Sequence, residues 1–546
     1  MKFNFSRQGL KGNERALERF FEILPGLFSW ALLSVMFILS FWKPLSAAVL
    51  IIAFDFYWLL RLFYLTFFLI LSYLRLSIEK ETDWMSLVHG LDRLEEYLKE
   101  CRFIDIKSGL KKIISFWIHH KEIESLRKNN LNPVFSGEIY HLVIIPVANE
   151  ELEIIEPGIA GLACGRFPPR QILTVIALEE RASEKVKEGA RAVQDKYRHC
   201  FFDFLVITHP EGLKAEARVK GANATYAAKE VTNYLGERKI PFEKVIVSCF
   251  DADTVVSPDY FGCLTYHFMI SPHRTQTSFQ PIPVYHNNIW EASGFARVLD
   301  VGSSFFQLIE ATNPEKLVTF SSHSMSFKAL VDVGYWPVDM ISDDSAIFWK
   351  AFIHFDGNYR VVPIYVTLSM DTVCAGSWWK TIKNVYRQKR RWAWGVENFP
   401  IVMRSFLSRD NKISFYDRIR HGLKLFEGHI SWSSWAFLLI VIGWFPAIFA
   451  GREFSNSVFY YSAPRISAII FNLASLSLLT SVILSLCLLP PKKVKNPLLK
   501  KIGFALEWLL IPFIAAFLSA LPALDAQTRL MLGRYMEFWV TEKKRG

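Results

Sequence analysis

Lys244-Val245-Ile246-Val247-Ser248-Cys249-Phe250-Asp251-Ala252-Asp253 decides the fold of this chain. A continuous apolar run of that length, ending abruptly in acid, marks a strand buried on both faces whose carboxyl end meets solvent. Earlier in the chain three further runs read as strands. His141-Leu142-Val143-Ile144-Ile145-Pro146-Val147 leads into the polar turn Asn149-Glu150-Glu151. Ile172-Leu173-Thr174-Val175-Ile176-Ala177-Leu178 ends in Glu179-Glu180, and Phe202-Asp203-Phe204-Leu205-Val206-Ile207 follows. Helical stretches separate them, so residues 136–398 are expected to form an α/β domain with an open, Rossmann-like, mostly parallel sheet. Ligands of such sheets sit at the carboxyl ends of the strands, which is where the acids fall.

Outward from this domain the sequence is apolar at membrane length. Hydrophobic residues make up 51% of the chain, with 46 Phe and 17 Trp, and they concentrate in runs. The first covers 23–42 and the second 45–74. Thirty helical residues span about 45 Å against roughly 30 Å of hydrocarbon. The second helix is therefore expected to leave the bilayer near Tyr57-Trp58-Arg61 and continue beyond it, with Asp55 at the headgroup edge. Residues 79–135 form an amphipathic linker, its apolar face marked by Leu91, Leu94, Leu98, Ile113, Ile114 and Trp117. Interfacial helices are expected over 399–428, and three spans over 429–530, near 430–450, 466–489 and 504–524. Pro512 and Pro522 interrupt the last run; a re-entrant or split segment there returns the tail 531–546 to the cytoplasm, whereas a full span leaves it outside. Lys492, Lys493 and Lys495 place their loop on the cytoplasmic side.

The net charge of +11 comes largely from Lys and Arg flanking the apolar runs. It fits anionic lipid as a partner, with no nucleic acid. The seven cysteines, Cys101, Cys164, Cys200, Cys249, Cys263, Cys374 and Cys487, show no CxxC or zinc spacing and are expected as buried thiols in a reducing compartment. The N-terminus is basic (Lys2, Arg7, Lys11, Arg15, Arg19), has no cleavable-looking leader and enters a span.

Asp251 and Asp253, two residues apart at a strand end, share a face and are placed to hold one hard cation, Mg²⁺ or Mn²⁺, with a diphosphate supplying further oxygens. Alone, an Asp-x-Asp is more often loop acid; the preceding strand reverses those odds. Asp343 and Asp344 precede an apolar helix. They favour its dipole as caps, yet an inverting sugar transfer needs one carboxylate to take the acceptor proton, so Asp343 caps and Asp344 works. Gln388, Arg390, Arg391 and Trp392 lie in a cationic stretch. Lys380, Lys383 and Lys389 suit a lipid-binding patch, whereas Trp392 and Trp394 suit a sugar platform beside arginines that grip phosphate. Lys220 either meets donor phosphates or is one more surface lysine. His323 has no metal-ligand pattern and is expected as a hydrogen-bonded histidine near the acceptor.

Together these residues resemble the membrane-embedded family 2 glycosyltransferases, the superfamily of cellulose and hyaluronan synthases. The resemblance covers 139–398 and implies a GT-A fold, a nucleotide-diphosphate sugar donor and a divalent cation. It implies donor contacts from Asn149, Glu150, Glu179, Glu180, Lys220, Asp251, Arg390 and Arg391. The metal falls to Asp251 and Asp253, the base to Asp344, and the acceptor side to His323, Asp343, Gln388 and Trp392. Phe538 to Lys543 is similar to the family's threonine-lysine tail. The chain departs from the family pattern with Glu in place of Asp after the second strand, and with Ser-Asp-Asp for Thr-Glu-Asp. The expected function is an inverting, metal-dependent transferase facing the cytoplasm, acting from a UDP-sugar on a polysaccharide or lipid-linked glycan. The rivals are a non-catalytic membrane sensor or scaffold and a polyprenyl-phosphate sugar transferase.

Overall fold

The computed structural model describes residues 3–100, 109–129, 131–214, 216–449, 458–490 and 497–536. Two long helices open it, α1 (Gly12–Trp42) and α2 (Pro44–Glu79). Lys43 joins them and Pro44 starts the second, where its missing N–H is not needed. α2 is unbroken through Tyr57-Trp58-Arg61, as expected of a helix that outruns the bilayer. Arg61 donates to Glu427 (2.6 Å) and lies over the Trp58 ring (5.0 Å), an aromatic and cationic anchor. Asp55 is not at an open edge. It is enclosed between helices, because α2 packs along the helix Val458–Leu488.

The linker holds three helices, α3 (Trp84–Asp92), α4 (Leu94–Glu100) and α5 (Leu110–Lys128). Leu91 and Leu98 are buried as expected, but Trp117 is exposed. The inward face of α5 is instead Ser115, His119, Ile123 and Leu126. Polar bonding sets that register. His119 lies between Glu79 (2.8 Å) and Glu122 (3.0 Å), and Ser115 meets Thr82 (2.6 Å), tying the end of α2 to the domain.

The domain is built on an eight-stranded sheet ordered β3-β2-β1-β4-β7-β6-β8-β5. Its strands are β1 (Tyr140–Val147), β2 (Ile172–Glu179), β3 (Asp203–His209), β4 (Val245–Cys249), β5 (Val255–Val256), β6 (Thr277–Val284), β7 (Ser324–Ser326) and β8 (Arg360–Ser369). The first four pair in parallel, as does β6 with β8; β7 and β5 run antiparallel to their neighbours. This mixed, mostly parallel sheet, with helices on both faces, is the expected GT-A arrangement. Helices α6 (Leu152–Ala163), α7 (Glu184–Tyr197) and α8 (Lys220–Glu237) cross between the first four strands. α9 (Tyr260–Ile270), α10 (Gly294–Ala311), α11 (Phe327–Asp332), α12 (Asp343–His354), α13 (Trp378–Ala393) and α14 (Asn398–Phe406) complete the layers.

Beyond the sheet, α15 (Phe415–Ile440) begins with Phe415, Tyr416, Ile419 and Leu423 exposed on an amphipathic first half. Among the described residues, four helices are long and apolar enough to cross a membrane: α1, α2, Arg465–Leu488 and Ile502–Met531; a fifth counts if Phe415–Ile440 and Ile442–Ile448, bent by 41°, form one span. Pro512 and Pro522 do not break the last helix. A π-helical stretch, Ile514–Ala520, lies between them and keeps the path continuous. Of the six described cysteines, all free thiols, only Cys249 and Cys263 are buried. Cys101, the loop Lys492–Lys495 and the tail Phe538–Lys543 lie outside the described residues.

Candidate active site

The carboxyl ends of β1 and β2 present the first expected donor groups. Glu150 folds back to accept the amides of Ala148 (2.9 Å) and Asn149 (3.0 Å), fixing the turn after β1 and leaving Asn149 exposed. Glu179 pairs with Arg181, and Glu180 accepts the amide of Glu211 (2.8 Å). Glu179, Glu180, His209, Glu216, Arg218 and Val219 line part of a cleft of about 200 Å³ that runs towards the start of α8.

Lys220, the first residue of α8, is the centre of the site. Its Nζ lies 2.7 Å from Asp251 Oδ1 and 3.0 Å from Asp344 Oδ1. Burial alone would lower its pKa; Asp251 and Asp344 more than offset that and hold it well above the ordinary lysine value. α8 reaches this position because residue 221 is glycine. A Cβ there would stand 2.5 Å from the Pro337 carbonyl oxygen and 2.9 Å from Asp343 Cβ. Asp251 also accepts from Ser321 Oγ, and its amide donates to Ser322 Oγ (3.2 Å). Ser322 adopts φ +60°, a strained left-handed conformation for a serine, here at the site itself.

Asp253 does not share an open face with Asp251. It is 1% exposed, and its Oδ2 accepts the amide of Asp371 (2.8 Å) just past β8, while Asn287 donates to its carbonyl (2.8 Å) and to Asp371 Oδ1 (2.9 Å). The chain turns directly after β4, so strand alternation no longer governs these side chains. Among the described residues, no group of three or more His, Cys, Asp or Glu is arranged to hold a metal. Hard carboxylate oxygens, with an ammonium bound to one of them, nonetheless have the right chemistry for a hard cation that takes its remaining ligands from a diphosphate.

Asp343 does not line the cleft. It is buried beneath Gly221, and burial, followed by repulsion from Asp344, pushes its carboxyl well above the usual range. Asp344 is partly exposed, and Thr319 Oγ1 donates to its carbonyl (2.6 Å). His323 is likewise internal. Its Nδ1 meets the Phe320 carbonyl (3.1 Å), and burial lowers its pKa to about 4.

On α13 the four expected residues separate by helical angle. Gln388 is buried and Arg391 half-buried. Trp392 is half-buried, with Phe320 edge-on (5.7 Å) and Tyr285 nearby (6.4 Å). Arg390, one step of about 100° from Arg391, pairs with Asp525 of the last helix (2.8 Å). Lys389 is no lipid-facing lysine. It is buried, donates to Ser303 (2.9 Å), lies 3.6 Å from the Trp392 ring centre, and burial lowers its pKa to about 8. Lys380 and Lys383 are exposed as expected. Trp394 is no sugar platform either; it is fully buried, donating to Glu397 (2.9 Å). Asn287, Ser321, Asp371 and Glu397 had no motif to mark them.

Residues 246–490 match the model of the glycosyl transferase family group 2. Two curated relatives are poly-beta-1,6-N-acetyl-D-glucosamine synthases. That of Staphylococcus epidermidis is 27% identical over 230 residues, 40% of this chain and 50% of the relative. That of Staphylococcus aureus strain COL is 30% identical over 167 residues, 30% of this chain and 37% of the relative. The chain thus spans about half the length, or less, of the curated relatives it matches. The family match itself takes in a little under half of the chain. Among solved structures, a mannosyltransferase from Pyrobaculum calidifontis with GDP-Man and Mn²⁺ is 14% identical, covering 72% of this chain and 99% of that one at a TM-score of 0.39. S. aureus TarS with UDP-GlcNAc is 12% identical, covering 73% and 94% at 0.34. Both likenesses are too distant to say more of this chain than its own sheet order does.

Proposed function

We propose that this chain is an inverting, membrane-integral hexosyltransferase that transfers a sugar from a UDP-sugar to a growing polysaccharide or lipid-linked glycan on the cytoplasmic side. The observation that carries the reading is Lys220, which holds Asp251 and Asp344 on one ammonium. Residues 93 apart in sequence thereby meet where diphosphate and acceptor must also meet. The similarity to poly-N-acetylglucosamine synthases favours UDP-N-acetylglucosamine as donor.

Asp344 takes the proton of the acceptor hydroxyl as the new glycosidic bond forms, a step worth about 10²–10⁴-fold. Asp251, with Asp253 two residues on, would hold a divalent ion, which would supply positive charge to the departing diphosphate. Lys220, beside Asp251 and Asp344, and Arg391 of α13 supply further positive charge to the same diphosphate. Trp392, flanked by Phe320 and Tyr285, offers a stacking surface to the acceptor sugar.

The test is transfer by the purified chain in lipid nanodiscs, with UDP-N-acetylglucosamine and Mn²⁺, followed by mass spectrometry of the product. Asp344→Asn should bind UDP normally and lose transfer by about 10²-fold or more. If wild type releases no UDP and Asp344→Asn is indistinguishable from it, a sensor or scaffold role takes the place of this one.

A further inference from the structure

The base-bearing helix α12 is held from a place that neither strand nor motif supplies. Glu397 lies three residues beyond Trp394 in a short 3₁₀ turn, and its carboxylate is 0% exposed. Its Oε1 accepts from the amides of Ile341 (3.0 Å) and Ser342 (2.9 Å) and from Ser342 Oγ (2.8 Å). Its Oε2 accepts from Trp394 Nε1 (2.9 Å) and Arg7 Nη2 (2.7 Å). Ser342 is the N-cap residue of α12, so Glu397 fixes the backbone that aims Asp343 and Asp344.

A buried carboxylate needs a counter-charge, and Arg7 provides it from before the first membrane helix. The segment around Arg7 is docked on the same loop. Ser6 donates to Asp339 (2.7 Å), Arg404 donates to the carbonyls of Asn4 (3.1 Å) and Ser6 (3.0 Å), and Phe5 is buried. Arg7 also lies over the Tyr535 ring (4.9 Å), just past the last helix.

We propose that Glu397, charged and fixed by Arg7, is a positioning residue for Asp344, and that the N-terminal segment is therefore a working part of the active site. This rests on Asp344 being the base, as in the reading above. Glu397 touches no substrate; it acts through Ser342.

The test uses the full chain in nanodiscs with UDP-N-acetylglucosamine and Mn²⁺, functional sites being counted by UDP titration. Arg7→Gln should lower kcat per UDP-binding site about 10-fold or more, with donor KM within about twofold. Arg7→Lys should restore most of the rate, and Glu397→Gln should lose more than Arg7→Gln. A merely structural role reduces the number of UDP sites and leaves turnover per site intact; that result overturns the inference. If Glu397→Gln does not fold, Arg7→Gln decides alone. Asp344→Asn is run alongside. If it is inactive while turnover per site in Arg7→Gln is unchanged, this inference alone fails. If Asp344→Asn still transfers sugar, the base assignment falls and takes this one with it.

Discussion

Lys220 Nζ and Asp344 Oδ1 lie 3.0 Å apart, across 124 residues of sequence, in a site where the lysine also holds Asp251 at 2.7 Å. One ammonium lies between two acids that would otherwise repel, so the charge balance of the site turns on Lys220.

Lys220→Met should therefore remove the ammonium that lies between Asp251 and Asp344. The free protein should melt earlier, and Mn²⁺ with UDP should recover more of the lost stability than they add to wild type. Turnover should fall by about 10²-fold, the scale of losing one preorganised charge at a leaving group. Differential scanning fluorimetry with and without ligands, beside initial rates, checks both parts.

Asp343→Asn should stabilise the protein above neutral pH. The folded carboxyl has its pKa raised by burial and by Asp344, so the folded state holds the proton more tightly than the unfolded chain does. The sign follows: wild-type stability falls as pH rises from near the ordinary aspartate value, 3.8, through the raised one, by about 1.4 kcal/mol for each unit of difference. The amide removes that dependence. Melting curves for the two proteins should diverge as pH rises above 3.8, with the variant the higher; parallel curves would show that Asp343 is not buried as a neutral acid.

Trp392→Ala and Trp394→Phe should separate two tryptophans that sequence places together. The first should raise acceptor KM by about 10-fold, the worth of one aromatic stacking contact, with little change in melting temperature. The second removes the donor to the buried Glu397 and should cost about 1–3 kcal/mol of stability. Acceptor titrations and denaturant melts on both variants check the assignment.

Arg390→Gln should leave donor KM within about twofold of wild type, since its guanidinium is engaged by Asp525 and not by the cleft. Arg391→Gln should raise donor KM by about 10-fold or more. Equal effects in the two variants would contradict the helical separation of the pair.

Much of this was legible beforehand, for physical reasons. The strands β1, β2 and β4 and the acids beyond their ends stood out because a strand buried on both faces must be continuously apolar, and a carboxylate cannot remain inside it. What escaped detection depends on packing. No periodicity distinguishes Lys220, which bridges two acids, from an exposed lysine until α8 meets α12 over Gly221. Within one cationic run Lys389 read as lipid-facing and Arg390 as gripping phosphate, yet a helix turns the first into the protein and the second onto Asp525. Asp253 defeated the strand-face rule because the chain turns before it. Glu397 is one unremarkable glutamate in sequence, and only burial with Arg7 gives it weight. The apolar face of α5 was misplaced because the helix is held by His119 and Ser115, polar residues that an apolar pattern overlooks.

α2 runs without interruption from Pro44 to Glu79, and Glu79 is gripped by His119 within the linker. Thirty-six residues at about 1.5 Å each make a rod near 54 Å long. Its far end therefore works as a stilt of set height and heading. Inserting a single alanine along it would lift Glu79 by about 1.5 Å and swing it by roughly 100°, so the catalytic sheet would lose its mooring although no residue of the cleft had changed.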